Sequence, residues 1–114
     1  MLAYRSWGLR ERGIKNPNVV CFSTAHVAFD KAAFYFGFEI RKAPIKNCKP
    51  NVEDLRSYID DNTICLIGSC PEYTFGNYDD MQKLGELAEE YGIGLHSDCC
   101  LGSFINPFIS ESGY

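Results

Sequence analysis

No apolar stretch in the 114 residues approaches the roughly 18–20 residues needed to span a bilayer, so no segment reads as a transmembrane helix. Basic side chains are few and scattered. Eleven Lys and Arg against fifteen Asp and Glu leave a net charge of −4 and no cationic run that could follow a phosphate backbone. Neither nucleic acid nor an anionic membrane surface is therefore expected as a partner. A C-x-x-C pair, a G-x-x-x-x-G-K-[ST] loop and a G-x-S-x-G elbow are all missing, which removes dithiol oxidoreductases, P-loop enzymes and triad hydrolases. Cys99 and Cys100 are adjacent and no second Cys or His pair has ligand spacing, so no metal is expected. The amino-terminal stretch "MLAYRSWGLRERG" alternates charge with apolar residues at helical spacing and does not resemble a secretory leader. The six cysteines are accordingly expected as reduced thiols of a cytosolic protein, with Cys21, Cys65 and Cys70 in or beside apolar runs as small hydrophobes.

What is present is alternation. The length suits one domain with a single core. "LAYRSWGLRER" reads as an amphipathic helix stopped by Gly13, and "NVVCFS" as a short buried strand. "AHVAFDKAAFYFG" places Val27, Phe29, Ala32, Ala33 and Phe36 at helical spacing and closes on Gly37. "FEIRKAPI" reads as a second strand, and Asn51 is placed to cap a helix "VEDLRSYIDD". A wholly apolar strand "TICLIGS" follows, then the loop "CPEYTFGNYD". "DDMQKLGELAEEYG" reads as a helix with acidic residues in its first turn, and "IGLHSD" as a fourth strand. The last segment, "CCLGSFINPFISESGY", reads as a loop that begins another helix, with Pro107 kinking or delaying it. Strands alternating with helices predict an α/β fold with a mostly parallel sheet and helices on both faces.

In such sheets ligands bind beyond the carboxyl ends of the strands. Three polar clusters fall there: Ser23–His26, Ser69–Gly76 and His96–Cys100. His96 and Asp98 share one face of their strand, with Leu95 and Ser97 on the other. Asp98 reads either as a turn aspartate bonding local amides or as the partner of a buried cation, such as a protonated heteroaromatic nitrogen. His26 reads either as a capping residue of the helix it opens or as a flat ring stacking on a planar cofactor.

Two motifs, A-H-x-A-F-x-K-A-A-x-Y-F-G over residues 25–37 and L-H-x-D-x-C-L-G-x-F over residues 95–104, flank "TICLIGSCPEYTFG". Together, and in this order, they resemble the sphingosine-1-phosphate lyases, fold-type-I pyridoxal-phosphate enzymes related to the group II amino-acid decarboxylases. The resemblance runs over nearly the whole chain, to the closing "SGY". It implies that residues 1–114 are part of the large cofactor-binding domain. It implies further that Asp98 pairs with the pyridine nitrogen of pyridoxal 5′-phosphate and that His26 stacks on the ring. Ser69 and Cys70 would lie in the loop beside the cofactor, and Cys99 would replace a small residue beside the ring. Cys100 would match the family's own cysteine, while His96 and Thr24 support these groups from behind.

Two departures stand out. Tyr73-Thr74-Phe75 occupies the place of a Phe-Pro-His, and Pro107 falls in an expected helix. The family's Schiff-base lysine follows a histidine well beyond Asp98, and none of Lys15, Lys31, Lys42, Lys46, Lys49 or Lys83 has that context. The Gly-rich Ser/Thr segment for the cofactor phosphate is expected upstream of residue 1. The chain by itself is thus not expected to catalyse. The resemblance implies a homodimeric parent that cleaves the C2–C3 bond of a phosphorylated long-chain base, giving a fatty aldehyde and phosphoethanolamine. In eukaryotes an upstream helix would anchor it to the endoplasmic reticulum with this domain in the cytosol. A related amino-acid decarboxylase and a non-catalytic α/β module are the alternatives.

Overall fold

A computed structural model describes residues 1–113; Tyr114, the end of the "SGY" segment, lies outside them. Four parallel strands, β1 (Asn18–Phe22), β2 (Glu39–Ala43), β3 (Thr63–Ser69) and β4 (Gly94–Asp98), form one sheet in the order β2-β1-β3-β4. The helices are α1 (Leu2–Arg12), α2 (Ala28–Phe36) and α3 (Met81–Tyr91), with 3-10 helices at Val52–Tyr58 and Asn106–Ser112. Every residue of β1 and β3 is buried. Both strands have helices on each face, which is why they read as near-continuous apolar runs.

Alternation along the strands divides the core in two. Val19, Cys21, Cys65 and Ile67 pack with Phe29 of α2, and with Tyr4 and Trp7 of α1. Val20, Phe22 and Leu66 pack on the other face with Leu55 of the first 3-10 helix and Leu84 and Leu87 of α3. Each fully buried large side chain contributes about 1.5–3 kcal/mol relative to exposure. Ile64 is the extra residue of an irregularity opposite Asn18–Val19, after which β1 and β3 run in step. Gly13, Gly37 and Gly92 end the three α-helices in the left-handed conformation.

Several expectations are corrected. Val52–Tyr58 is a 3-10 helix, not an α-helix. Both ends bond over three residues, Asp54 N–H to the Asn51 carbonyl and Ile59 N–H to that of Arg56. Asn51 does cap it, accepting from Glu53 N–H at 3.4 Å. Asp79 and Asp80 precede α3 rather than filling its first turn: Asp80 is the N-cap, accepting from Lys83 N–H at 3.1 Å, and Asp79 is buried. Val27 is 69% exposed and outside the apolar face of α2. Pro107 sits at the start of the last 3-10 helix, where its missing N–H costs nothing. β4 is an edge strand of the described sheet.

Strand order reverses between β1 and β3: the chain leaves β1 for β2 on one side and β3 for β4 on the other. The carboxyl ends of β1 and β3 therefore form a switch point, where a crevice opens in doubly wound sheets.

Candidate cofactor site

A cavity of about 400 Å³ lies at that switch point, within the range of roughly 300–1,000 Å³ common for small-molecule sites. Thr24 and His26 line it from the turn after β1, Phe29 from α2, Ser69 from the end of β3, and Asp98 and Cys100 from the end of β4. Pro71, Glu72, Tyr73 and Leu101 complete much of the rest.

His26 enters through the turn that links β1 to α2. Ser23 N–H bonds the Ala43 carbonyl (2.8 Å) and Ala25 N–H that of Phe22 (3.0 Å). The His26 Nδ1 then accepts from Ala28 N–H at 3.1 Å. That bond requires an unprotonated Nδ1, so a neutral ring carries its hydrogen on Nε2. Capping and cavity-lining are thus not alternatives for His26, because one ring does both. Asp98 behaves in the same way. Its Oδ1 accepts from Cys100 N–H at 3.2 Å while the residue lines the cavity. Its Oδ2 accepts no hydrogen bond among the described residues, and its carbonyl takes Cys70 N–H at 2.8 Å.

Beneath Asp98, His96 is half-buried between two rings, edge-on to Tyr4 (6.2 Å) and Phe29 (5.7 Å). Burial lowers its pKa, with the negative charge of Asp98 opposing. It does not line the cavity; it packs behind Phe29, which does.

The loop after β3 is organised by carboxylates that the sequence reading did not single out. Glu72 is buried and accepts from the N–H groups of Thr74 (2.5 Å), Phe75 (2.9 Å) and Asn77 (3.2 Å). Asp79 accepts from Ser69 N–H (2.7 Å), while its own N–H bonds the Ser69 carbonyl (3.0 Å). This reciprocal pair holds Ser69 at the cavity. Asp79 Oδ1 is buried without a hydrogen-bond partner among the described residues. Burial raises its pKa to about 6; the Ser69 N–H opposes this, and the Glu72 charge adds to it. Two consecutive aspartates before an amphipathic helix were the available signal, since only one can cap.

A raised carboxyl pKa has a definite consequence. Between about pH 4 and 6 the folded protein keeps a proton that the unfolded chain has released, so this group's contribution to stability falls over that interval and stays lost above it. Asp79→Asn keeps an acceptor for Ser69 N–H and removes the charge. The variant is expected to match the wild type at pH 4 and to exceed it by about 2–3 kcal/mol at pH 8, on roughly 1.4 kcal/mol per pKa unit. Urea unfolding at the two pH values checks this; an equal difference at both would refute it.

Cys70 and Cys99 are not brought to the cavity. Side chains alternate along β4, so Ser97 and Cys99 lie on the face opposite Asp98 and Cys100. Cys70 is 6% exposed, and burial raises the pKa of its thiol. Of the two cysteines after Asp98, Cys100 is the one that lines the cavity.

The parallel sheet with helices on both faces, and with His26 and Asp98 lining one cavity at its switch point, defines an α/β fold with a small-molecule-sized cavity at the carboxyl ends of its strands. The chain belongs to the pyridoxal-dependent decarboxylase family: residues 5–112 match that family's conserved domain. It is 40% identical over 115 residues to a sphingosine-1-phosphate lyase of Saccharomyces cerevisiae, covering 99% of this chain and 20% of the relative. It is 43% identical over 113 residues to sphingosine-1-phosphate lyase 1 of Mus musculus, covering 98% and 20%. A probable L-tyrosine/L-aspartate decarboxylase of Methanothrix thermoacetophila is 39% identical over 100 residues, covering 87% and 26%. The structure of a Burkholderia pseudomallei sphingosine-1-phosphate lyase superposes with a TM-score of 0.93 at 38% identity, over 99% of this chain and 26% of that one. The chain thus spans about a fifth of the length of the first two relatives. The family's cofactor is pyridoxal 5′-phosphate, and the donor set here fits its ring end: a flat imidazole, a carboxylate with a free oxygen, and hydroxyls at the rim. No lysine lines the cavity among the described residues.

Proposed function

We propose that these residues form the central part of the cofactor domain of a pyridoxal-phosphate-dependent aldehyde-lyase acting on phosphorylated long-chain bases. The carrying observation is that Asp98, with only its Oδ1 accepting a hydrogen bond among the described residues, lines the same cavity as His26. When bound, the cofactor supplies an electron sink for the pair left by C2–C3 cleavage. Asp98 accepts a hydrogen bond from the ring nitrogen and keeps it protonated. His26, its orientation fixed by Ala28 N–H, would offer its flat imidazole to the ring, while Cys100 and the buried Phe29 would supply apolar wall beside it. Ser69 and Thr24 offer hydroxyls at the rim, and His96 packs behind Phe29. Cys70 and Cys99 act from behind the strands. The lysine that carries the cofactor and the cradle for its phosphate come from other parts of the complete protein.

A homodimer is proposed for the complete protein. No helix among the described residues is long and apolar enough to cross a membrane, so attachment to the endoplasmic reticulum would fall to another segment. The amino-acid decarboxylase reading draws support from the archaeal relative. The two diverge in their products. The complete protein, loaded with pyridoxal phosphate, is given sphinganine 1-phosphate in one assay and tyrosine, aspartate or glutamate in another. Fatty aldehyde with phosphoethanolamine is the expected result. Carbon dioxide from an amino acid without aldehyde would establish the decarboxylase instead, and neither product would leave a non-catalytic module.

A further inference from the structure

The six free cysteines are not equivalent. Cys21 and Cys65 are sealed within the sheet, where burial pushes both thiols up to about 12. Cys48 and Cys100 are exposed. Cys70 and Cys99 face one another on the side of the sheet away from the cavity. Ser69 and Asp98 are partners in the parallel register, and Cys70 N–H continues the ladder onto the Asp98 carbonyl at 2.8 Å. Cys70 and Cys99 therefore follow side by side, one step past the last paired residues of β3 and β4. The Ser97 hydroxyl lies 3.0 Å from the Cys99 sulfur, and the buried Cys70 side chain lies on this same side of the sheet, since side chains alternate along β3 and Ser69 lines the cavity.

Adjacent strands lie about 4.7–4.9 Å apart, inside the roughly 4.4–6.8 Å window of Cα separations that a disulfide spans. One sulfur is reachable and the other is not: Cys99 is partly exposed, whereas Cys70 is buried behind it.

We propose that Cys70 and Cys99 form a peroxide-responsive dithiol site that closes into a disulfide across the tips of β3 and β4. The Cys99 thiolate attacks one oxygen of hydrogen peroxide and breaks the O–O bond, giving a sulfenic acid and, after proton uptake, water. The Cys70 sulfur then attacks the sulfenic sulfur and expels the second water. Two thiols lose two electrons and two protons, and one peroxide becomes two waters. The bond joins the residues immediately after Ser69 and Asp98. It thus ties together the two strand ends that wall the cavity while leaving the lining side chains unmodified.

To test this, the native complete protein is exposed to hydrogen peroxide over a time course and quenched in acid. It is then alkylated after denaturation and mapped by peptide mass spectrometry. The Cys70 and Cys99 peptides are expected to leave the alkylated pool together and reappear as one cross-linked pair lighter by two hydrogens. Dithiothreitol should restore both, and loss at exposed Cys48 should be several-fold slower. In Cys70→Ser, Cys99 should stop at the sulfenic acid and be captured by dimedone. A Cys99–Cys100 link would overturn the proposal, as would Cys70 still fully alkylated once Cys48 is oxidised, or equal dimedone capture with and without Cys70. The wild-type map decides the matter even if the variant misfolds. It needs no bound cofactor, so its outcome and that of the lyase assay are independent.

Discussion

Asp98→Asn in the complete, cofactor-loaded protein is expected to lower turnover on the order of 10²- to 10³-fold. At the strand tip one Asp98 carboxylate oxygen is spent locally, on Cys100 N–H at 3.2 Å, and the other accepts no hydrogen bond among the described residues, while the residue lines the cavity. Asparagine can keep the local bond through its carbonyl and so preserve the turn. What it loses is the charge that holds a ring nitrogen protonated. Removing one member of a desolvated ion pair costs about 3–5 kcal/mol, and each ~1.4 kcal/mol is a factor of ten in rate. The readout is kcat together with the cofactor absorbance spectrum, because a protein that retains its cofactor while losing turnover locates the defect in chemistry. Asp98→Glu, which keeps the charge on a longer stem, should recover part of the loss. Undiminished turnover in the asparagine variant would remove Asp98 from the proposed role.

How much of this site is legible in the sequence depends on which forces act locally. β1 and β3 stand out because a strand covered on both faces must be apolar throughout, and "NVVCF" and "TICLIGS" meet that demand. The positions of Thr24, His26, Ser69 and Asp98 follow from the same logic, since residues at carboxyl ends of parallel strands gather on one edge. Three features are decided by longer-range geometry. The Val52–Tyr58 segment carries an α-like pattern and an Asn51 cap, yet its ends bond over three residues, which the pattern of apolar positions does not distinguish. Asp79 and Asp80 are chemically identical in sequence. Only the packing of the loop against Ser69 buries one and exposes the other to cap α3. Cys99 and Cys100 differ by one step past a strand end, and that step turns one toward Ser97 and the other toward the cavity. A motif carries order along the chain, while the face of a sheet is set by register.

Gly102→Ala should be the most disruptive single methyl added to this chain. A Cβ built on Gly102 would fall on the Cys70 carbonyl oxygen and on the Asn106 side-chain amide. Contrast Gly68, where the added atom would meet the ends of Met81 and Leu84, which can swing aside. The Cys70 carbonyl has no such freedom, because the preceding N–H of the same residue is held on Asp98. Asn106 is equally constrained: its Nδ2 donates to that carbonyl at 3.1 Å, and its Oδ1 accepts from the Tyr78 hydroxyl at 3.1 Å. Relief requires residues 101–106 to move outward, breaking those bonds and carrying Leu101 away from the cavity. Overpacking of this kind costs about 1–3 kcal/mol, and two lost hydrogen bonds add about 1 kcal/mol each. Phe104 is already 90% exposed, so a freed segment offers chymotrypsin a site it can engage as soon as the backbone lifts. Cleavage after Phe104 in the complete protein should accelerate at least tenfold, and cofactor affinity should fall with it. Ser103→Ala, at an exposed neighbouring position, should change neither. Wild-type cleavage and affinity in Gly102→Ala would show that the turn does not rest on the Cys70 carbonyl. A rise in cleavage with affinity unchanged would show that Leu101 is dispensable as a wall of the site.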